Sequence, residues 1–277
     1  MAIKMIMLDL DGTLLDSNKL ISEENYRTLA RAAAAGVHII PSTGRFLSSM
    51  PQVVRDLPFV RYVSTVNGAE LHDLETGEVL FRHLIPLNRT LDFLELTEEF
   101  EVLRDFFQDD WGWISHGDMN RLEQFIPEET IRQLFRDVCT PVDSLAEALR
   151  HRGRDVMKIE LLTTDEALRS QLYPLLREAF PDLNLTSSLP YNMELTAGNA
   201  SKGVALETFC ARMGILPEET LAFGDSTNDL SMLLAAGIGV AMENADPLLK
   251  AQADHITATN DENGVSQAIR LFLPEIW

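Results

Sequence analysis

Cysteine and histidine are scarce in this chain, and neither occurs at the spacing of a metal centre. The 277 residues include two cysteines and 6 histidines. Cys139 and Cys210 lie far apart in apolar, helix-like sequence, which favours buried thiols. The histidines are scattered, with no paired spacing of the kind that binds zinc. We therefore expect two buried thiols and no zinc site.

Basic residues are also few. The chain has 23 lysines and arginines against 43 aspartates and glutamates, which gives a net charge of -20 at pH 7. This charge argues against nucleic acid or an anionic membrane as the main partner. A small anionic substrate is still compatible with it, provided that basic side chains gather locally around the substrate.

Long apolar runs are absent as well. No apolar segment is long enough to span a bilayer. The opening Met-Ala-Ile-Lys-Met is not a charged leader followed by a long apolar segment, and no small-residue cleavage site follows it. We expect a cytoplasmic protein without a membrane partner. The hydrophobic content of 45% is enough for a large core, in one big domain or two of ordinary size.

The most informative stretch is an apolar run, Met5 to Leu8, followed by Asp9-Leu10-Asp11-Gly12-Thr13. This pattern predicts a buried strand that ends in a loop. Residues i and i+2 of a strand point to the same side, so two carboxylates would meet at one spot, where their repulsion requires a cation or a shared proton. An acidic turn is the alternative, since Asp and Gly are common turn residues.

Helices and strands alternate after this opening. The predicted elements are a helix from Ser22 to Gly36, a strand from Val37 to Ile40, a helix from Phe46 to Leu57, a strand from Tyr62 to Val66, and a hairpin with its turn at Glu75-Thr76-Gly77. Strand, helix and strand with short connections predict a parallel sheet. In such sheets, ligands bind beyond the carboxyl ends of the strands.

The middle of the chain has a different pattern. The predicted elements there are strands from Val102 to Phe107 and from Trp111 to Ser115, helices from there through Leu149, a strand from Val156 to Leu162, a helix from Asp165 to Phe180, and a strand from Leu183 to Thr186. The alternating pattern returns after Leu189-Pro190. We therefore predict an α/β protein, in which a Rossmann-like parallel-sheet core (1–84 and 190–277) contains an inserted α+β domain (85–189).

Two strand-to-helix junctions could hold an anion. Lys202 opens a helix, although cations are favoured at the opposite end, so an anion such as phosphate should compensate it. A solvated surface lysine is the alternative. At the second junction, Thr43-Gly44-Arg45, a hydroxyl and exposed N–H groups could bind phosphate oxygens. Simple helix capping by Ser42 or Thr43 would also explain that junction.

A second acidic segment follows the strand Thr220 to Phe223. Capping and the helix dipole could account for Asp229 completely, but they explain Asp225 poorly, because Asp225 comes directly after the strand and Gly224. If the sheet is parallel, Asp225 shares an edge with Asp9 and Asp11. Several carboxylates in one crevice require a divalent ion, and oxygen ligands suit Mg²⁺.

Together these segments resemble the four motifs of the haloacid dehalogenase superfamily. They match in order and in character: Asp9-Leu10-Asp11-Gly12-Thr13, Thr43, Lys202, and Gly224-Asp225-Ser226-Thr227-Asn228-Asp229. The insertion, together with Asn67-Gly68-Ala69 and Asn263-Gly264-Val265, resembles the Cof-type branch of sugar-phosphatase-like proteins. One departure is Thr227, where many relatives carry Glu.

The resemblance implies a role for each acid. Asp9 would attack phosphorus, forming an aspartyl-phosphate, and Asp11 would protonate the leaving oxygen and then deprotonate water. The implied ligands of Mg²⁺ are Asp9, the Asp11 backbone carbonyl and Asp225, with Asp229 supporting them. The phosphoryl group would be bound by Thr43, Lys202, Asn228 and the backbone N–H groups near Leu10 and Gly44.

Function follows from the same resemblance. Related ATPases carry Thr in place of Asp11, and dehalogenases lack this second acid, so the chain looks like a phosphatase or phosphomutase. We expect a Mg²⁺-dependent phosphatase of a small phosphorylated metabolite such as a sugar phosphate. The alternatives are a phosphomannomutase-like transferase and a non-catalytic phosphate-binding regulator. The insertion would be a cap that contacts the leaving group, with His116, Arg121, Trp111, Trp113 and Asn192 as candidate contacts. The sequence predicts no oligomeric state.

Overall fold

The computed structural model describes residues 2–277 and divides the chain into two compact units. The first unit contains the chain through Arg45, Met50–Arg82 and Ser201–Trp277. The second contains Phe46–Ser49 and His83–Ala200. Within residues 2–277, no helix has the length and apolar character needed to cross a membrane.

The strands, in chain order, are β1 Met5–Leu8, β2 His38–Pro41, β3 Tyr62–Thr65, β4 Glu70–Asp73, β5 Glu78–Arg82, β6 Leu103–Gln108, β7 Trp111–Ser115, β8 Cys139–Val142, β9 Lys158–Leu162, β10 Leu183–Thr186, β11 Asn192–Ala197, β12 Thr220–Gly224, β13 Ile238–Ala241 and β14 His255–Ile256. The α-helices are α1 Glu23–Ala34, α2 Gln52–Arg55, α3 Leu87–Leu96, α4 His116–Met119, α5 Leu122–Phe125, α6 Glu129–Val138, α7 Leu145–Arg152, α8 Glu166–Ala179, α9 Lys202–Met213, α10 Leu230–Ala235, α11 Pro247–Gln252 and α12 Gly264–Phe272. Short 3₁₀ turns occur at Leu47–Ser49, Val66–Gly68, Pro217–Glu219, Thr227–Asp229, Asn260–Glu262 and Pro274–Ile276.

A five-stranded parallel sheet in the order β14-β13-β12-β1-β2 forms the centre of the first unit. The last residue of β1, Leu8, is in register with Phe223 of β12 and Pro41 of β2. Because the strands are parallel, the loops after β1, β2 and β12 leave the sheet at the same edge. Every residue of β1 is buried, as the unbroken apolar run predicts.

The local patterns of the first unit are largely confirmed. Ser22 caps α1, its hydroxyl accepting the Asn25 N–H at 3.1 Å, and Leu29 and Ala32 of this helix are buried. The predicted hairpin is present as β4 and β5, which form an antiparallel sheet together with β3.

The single helix predicted from Phe46 to Leu57 is wrong. The chain instead makes the 3₁₀ turn Leu47–Ser49 and then the four-residue helix α2. Pro51 stands at the N-cap of α2, where its missing N–H costs nothing, but it cannot continue a helix arriving from Phe46. Within the second unit, the N–H groups of Leu47 and Ser48 donate to the carboxylate of Asp110 at 2.8 and 2.9 Å.

The second unit contains a six-stranded sheet in the order β10-β11-β9-β6-β7-β8, antiparallel except for the parallel pair β7 and β8. The prediction of helices from Ser115 through Leu149 missed strand β8, which carries Pro141. This strand lies at the sheet edge, where a proline is tolerated because one side of the strand needs no hydrogen-bond donors.

The chain leaves the second unit later than the sequence-based boundary between residues 189 and 190. Strand β11 lies after that boundary and pairs antiparallel with both β10 and β9, and the unit extends to Ala200. The α/β fold class, with a parallel-sheet core and an inserted α+β part, is confirmed. So are the two buried thiols, Cys139 and Cys210.

Candidate active site

Lys202 and Asp9 form the centre of the site. The Lys202 ammonium lies 2.6 Å from Asp9 Oδ1 and 2.6 Å from Asp229 Oδ1, and its side chain is 0% exposed. The alternative of a solvated surface lysine is therefore excluded. Burial alone would lower the pKa of Lys202, but Asp229 and Asp9 outweigh burial and raise it, so the ammonium stays charged.

Helix α9 places Lys202 at this point. Ser201 caps the helix, its hydroxyl accepting the Val204 N–H at 3.1 Å, and Lys202 is the first helical residue. A cation next to the positive end of a helix dipole needs compensation. Here the carboxylates of Asp9 and Asp229 supply it.

Asp229 also accepts hydrogen bonds within the loop after β12. Its Oδ2 accepts the N–H groups of Asp225 and Ser226, each at 3.0 Å, while its Oδ1 binds Lys202. Capping of the turn Thr227–Asp229 and the ion pair with Lys202 are thus both present. With these contacts on its two oxygens, Asp229 holds the loop and the lysine in place.

Asp9, Asp225 and Asp229 form a group that can hold a metal ion. Each offers a carboxylate oxygen, and these oxygens all lie within 4.8 Å of one another. Burial raises the pKa of Asp9 well above its usual range, Lys202 opposes the rise, and Asp229 and Asp225 add to it. Burial and the nearby Asp229 raise the pKa of Asp225 to about 7. Asp9 and Asp229 are buried and Asp225 is half-buried, and such a set of mutually repelling oxygen ligands suits Mg²⁺.

The carboxylate of Asp11 lies outside this group of three acids and contacts two basic side chains. Arg45 binds it in a bidentate manner, with Nε and Nη2 at 2.7 and 2.8 Å, and Lys19 Nζ lies 2.8 Å from Oδ1. Burial by itself would raise the pKa of Asp11, but the hydrogen bonds from Arg45 and Lys19 lower it to about 2. In this state Asp11 is a carboxylate held between two cations.

The predicted phosphate-binding groups lie on the loops at the same sheet edge. Thr43 is buried, and its hydroxyl accepts the Arg45 N–H at 3.1 Å. The backbone N–H groups of Leu10 and Gly44 have no hydrogen-bond acceptor among residues 2–277. Asn228 is 8% exposed and donates from Nδ2 to Asn67 Oδ1 at 2.9 Å.

Comparison with known proteins identifies the family of this chain. A sequence model of haloacid dehalogenase-like hydrolases matches residues 6–269. The chain belongs to this family. The predicted family resemblance is thereby confirmed.

Named relatives of this hydrolase are phosphatases. The 5-amino-6-(5-phospho-D-ribitylamino)uracil phosphatase YcsE of Bacillus subtilis is 31% identical over 268 residues, covering 97% of this chain and 95% of its own. Pyridoxal phosphate phosphatase YbhA of Escherichia coli is 31% identical over 269 residues, covering 97% and 98%. A solved haloacid dehalogenase-like hydrolase from B. subtilis superposes with a TM-score of 0.84 at 31% identity, covering 97% and 99%. The predicted enzyme class, phosphoric monoester hydrolase, is confirmed.

Sequence reasoning missed three contacts of this hydrolase's site. It assigned no role to Lys19, which has no recognisable motif and approaches Asp11 only through the fold. It placed Arg45 at the right sheet edge and Asn67 in a family motif, but it predicted neither the Arg45–Asp11 pair nor the Asn67–Asn228 hydrogen bond.

The candidate leaving-group contacts lie in the second unit, and their role stays a prediction. Asn192 is fully buried and donates to Glu160 at 2.7 Å, and Arg121 pairs with Asp118 at 3.0 Å. The other candidates are Trp113, stacked on Phe106, Trp111, which donates to the Thr140 hydroxyl, and His116, whose side chain is 58% exposed.

Proposed function

We propose that this hydrolase is a Mg²⁺-dependent phosphatase that cleaves a small phosphorylated metabolite through an aspartyl-phosphate intermediate. One observation carries the proposal: the Asp9 carboxylate is held at 2.6 Å by the buried ammonium of Lys202, within a group of three acids that can hold a divalent ion. In this arrangement the Lys202 ammonium orients the Asp9 carboxylate and favours its ionised form against the effect of burial. A bound divalent ion would favour the ionised form further, as a nucleophile that attacks a phosphoryl group requires.

The reaction divides into two steps. An Asp9 oxygen forms a bond to phosphorus while the bond from phosphorus to the ester oxygen breaks. Asp11, which takes up a proton from solvent once its contacts with Arg45 and Lys19 loosen, gives this proton to the leaving alkoxide. Asp11, again a carboxylate, then takes a proton from water, whose oxygen attacks phosphorus. This second step releases inorganic phosphate and restores Asp9.

Binding of the phosphoryl group is assigned to Thr43, Lys202, Asn228 and the backbone N–H groups of Leu10 and Gly44. The structure supports this assignment with the buried Lys202 ammonium and with two N–H groups that have no acceptor among the described residues. Bound Mg²⁺, held by Asp9, Asp225 and the Asp11 carbonyl, would neutralise negative charge on the phosphoryl oxygens.

The substrate class that we propose is a sugar phosphate or a similar phosphomonoester. YcsE and YbhA are named for a phosphorylated ribityl compound and for pyridoxal phosphate, both small phosphate esters. The net charge of -20 favours such a substrate over nucleic acid or an anionic membrane. We assign the enzyme to the cytoplasm. We assign catalysis to the first unit and substrate specificity to the second.

The test is phosphate release from a panel of phosphorylated metabolites with Mg²⁺, comparing the native chain with Asp9→Asn. The panel includes sugar phosphates, polyol phosphates and pyridoxal phosphate. We expect the native chain to release phosphate from at least one class, and Asp9→Asn to lose this activity by a factor of at least about 10³, because the nucleophile is gone.

Asp56→Asn, at an exposed acid of the same unit, is the matched control and should keep full activity. Persistent turnover in Asp9→Asn would refute the nucleophile. If phosphate is released only when a second sugar phosphate is present, or is transferred to it, the transferase replaces the phosphatase.

A further inference from the structure

The 3₁₀ turn after β3 contains three successive residues in the left-handed region. The φ angles are +51° at Val66, +54° at Asn67 and +88° at Gly68. Glycine adopts this region freely and asparagine tolerates it, but a β-branched residue such as Val66 is strained there. Such strain persists only where surrounding contacts enforce it, and it occurs most often at functional sites.

Backbone hydrogen bonds tie this turn to the loop after β2. The Val66 N–H donates to the Arg45 carbonyl at 2.9 Å, and the Asn67 N–H donates to the Thr43 carbonyl at 3.0 Å. Gly68 lies against the start of α9, because a Cβ added there would come within 2.1 Å of the Ser201 carbonyl oxygen. The turn therefore touches two of the segments assigned to phosphate binding.

The Asn67 side chain reaches a third segment. It is 2% exposed, and its Oδ1 accepts the Asn228 Nδ2 at 2.9 Å. A Cβ on Gly44 would meet this same Oδ1 at 3.0 Å, so the glycine leaves room for the amide. The Oδ1 of Asn228 is buried and has no hydrogen-bond partner among residues 2–277. Among residues 2–277, the hydrogen bond to Asn67 is therefore the contact that determines which way the Asn228 amide faces.

We propose that Asn67 is a positioning residue, which orients the amide of Asn228 for binding the phosphoryl group. The inference rests on the proposed role of Asn228. By accepting one N–H of Asn228, Asn67 selects one of the two amide orientations and leaves the second N–H to donate to a phosphate oxygen. The left-handed turn is the backbone conformation that brings Oδ1 to this position.

The experiment measures binding of inorganic phosphate in the presence of Mg²⁺ by titration calorimetry, and kcat/KM with the best substrate of the panel. The variants are Asn67→Gly, Asn228→Ala and the double variant. Glycine accepts the left-handed backbone, so Asn67→Gly removes the side chain without straining the turn. We expect phosphate affinity and kcat/KM to fall roughly tenfold in Asn67→Gly, the effect of one lost hydrogen bond.

The double variant separates positioning from a general structural effect. If Asn67 acts through Asn228, adding Asn67→Gly to Asn228→Ala lowers phosphate affinity no further. Equal losses in the native and Asn228→Ala backgrounds, or unchanged phosphate affinity in Asn67→Gly, would overturn the inference.

Asn67→Ala supplies the backbone control. Alanine is strained at this φ, so this variant should be less stable than Asn67→Gly in urea denaturation, yet equal to it in phosphate affinity. If the less stable Asn67→Ala variant binds phosphate more weakly than Asn67→Gly, the positioning role is overturned. Phosphate binding by the native chain without phosphate release from the panel would refute the proposed phosphatase alone. Phosphate release by the native chain with no change of kcat/KM in Asn67→Gly would overturn the positioning role alone.

Discussion

The ion pairs of Asp11 show how single residues set the resting state of this site. Lys19 reaches Asp11 from the turn Asp16–Leu20, where Asp16 Oδ1 accepts the N–H groups of Asn18 and Leu20 at 2.8 and 2.9 Å. Lys19 itself has a left-handed φ of +62°. Because Arg45 and Lys19 keep Asp11 ionised, protonation of a leaving group by Asp11 requires these contacts to loosen first.

We predict that Lys19→Met lowers the free energy of unfolding at pH 7 by about 0.2–1 kcal/mol, the usual range for an exposed pair. The pKa of Asp11 in the folded chain, about 2, lies below its ordinary value of 3.8, so the stabilisation is present above the ordinary value. It is lost as the pH falls from about 4 to about 2. The stability difference between Lys19→Met and the native chain should therefore shrink over that window.

Urea denaturation at pH 7, 4 and 3 measures this difference. Lys19→Arg keeps the positive charge and should follow the native chain. If Lys19→Met lowers the free energy of unfolding by the same amount at every pH, packing of Lys19 and not the charge of Asp11 is responsible.

At the scale of elements, the close approach of the Val66–Gly68 turn to α9 depends on one glycine. Gly68 has a φ of +88°, and a Cβ there would come within 2.1 Å of the Ser201 carbonyl oxygen, which belongs to rigid backbone. Gly77, in the hairpin between β4 and β5, has a similar φ of +73° but has nothing within 4 Å of an added Cβ. A substitution at Gly77 therefore introduces backbone strain alone, whereas one at Gly68 adds a steric clash to the same strain.

We predict that Gly77→Ala destabilises the chain by about 1 kcal/mol, through the left-handed conformation alone. Gly68→Ala should cost roughly 2–4 kcal/mol, because displacement of backbone is added to the same strain. Urea denaturation midpoints of the two variants measure this difference. If Gly68→Ala and Gly77→Ala lose similar amounts of unfolding free energy, the Val66–Gly68 turn moves away from α9 at little energetic cost.

At the scale of the whole molecule, a chain with a net charge of -20 holds the three acids Asp9, Asp225 and Asp229 close together. The pKa of Asp225 in the folded chain, about 7, lies above its ordinary value of 3.8. Below the ordinary value this shift contributes its full stabilisation, which is lost as the pH rises through about 7. Above this pH and without a metal, the folded chain must hold an ionised Asp225 that is repelled by Asp229.

We predict that Asp225→Asn is more stable than the native chain at pH 8 in EDTA, and that Mg²⁺ reverses this order. A ligand at 100 times its Kd stabilises the folded state by about 2.7 kcal/mol, and the variant lacks one of the carboxylates that hold it. Thermal unfolding at pH 8 with Mg²⁺ or EDTA, at constant ionic strength, measures the effect. Equal stabilisation of both chains by Mg²⁺ would indicate general screening of the acidic surface.

Local sequence patterns were enough to predict the parallel sheet and the groups delivered to its edge. The apolar run of β1 ends at Asp9, Ser22 caps α1 and a glycine precedes Asp225, and each of these patterns depends on residues that are neighbours in the chain. Because parallel strands present their carboxyl ends at one edge, local patterns are enough to predict which loops meet there.

Which side chains pair across that edge depends on contacts between distant segments of the folded chain. Lys202 and Asp9 are 193 residues apart, and Asn228 and Asn67 are 161 residues apart. No local pattern specifies such a partner, because it depends on the direction in which each loop leaves the sheet and on the space that glycines such as Gly44 and Gly68 leave open. The same reason explains the missed edge strand β8 and the extension of the second unit to Ala200, since strand pairing is a contact between distant segments.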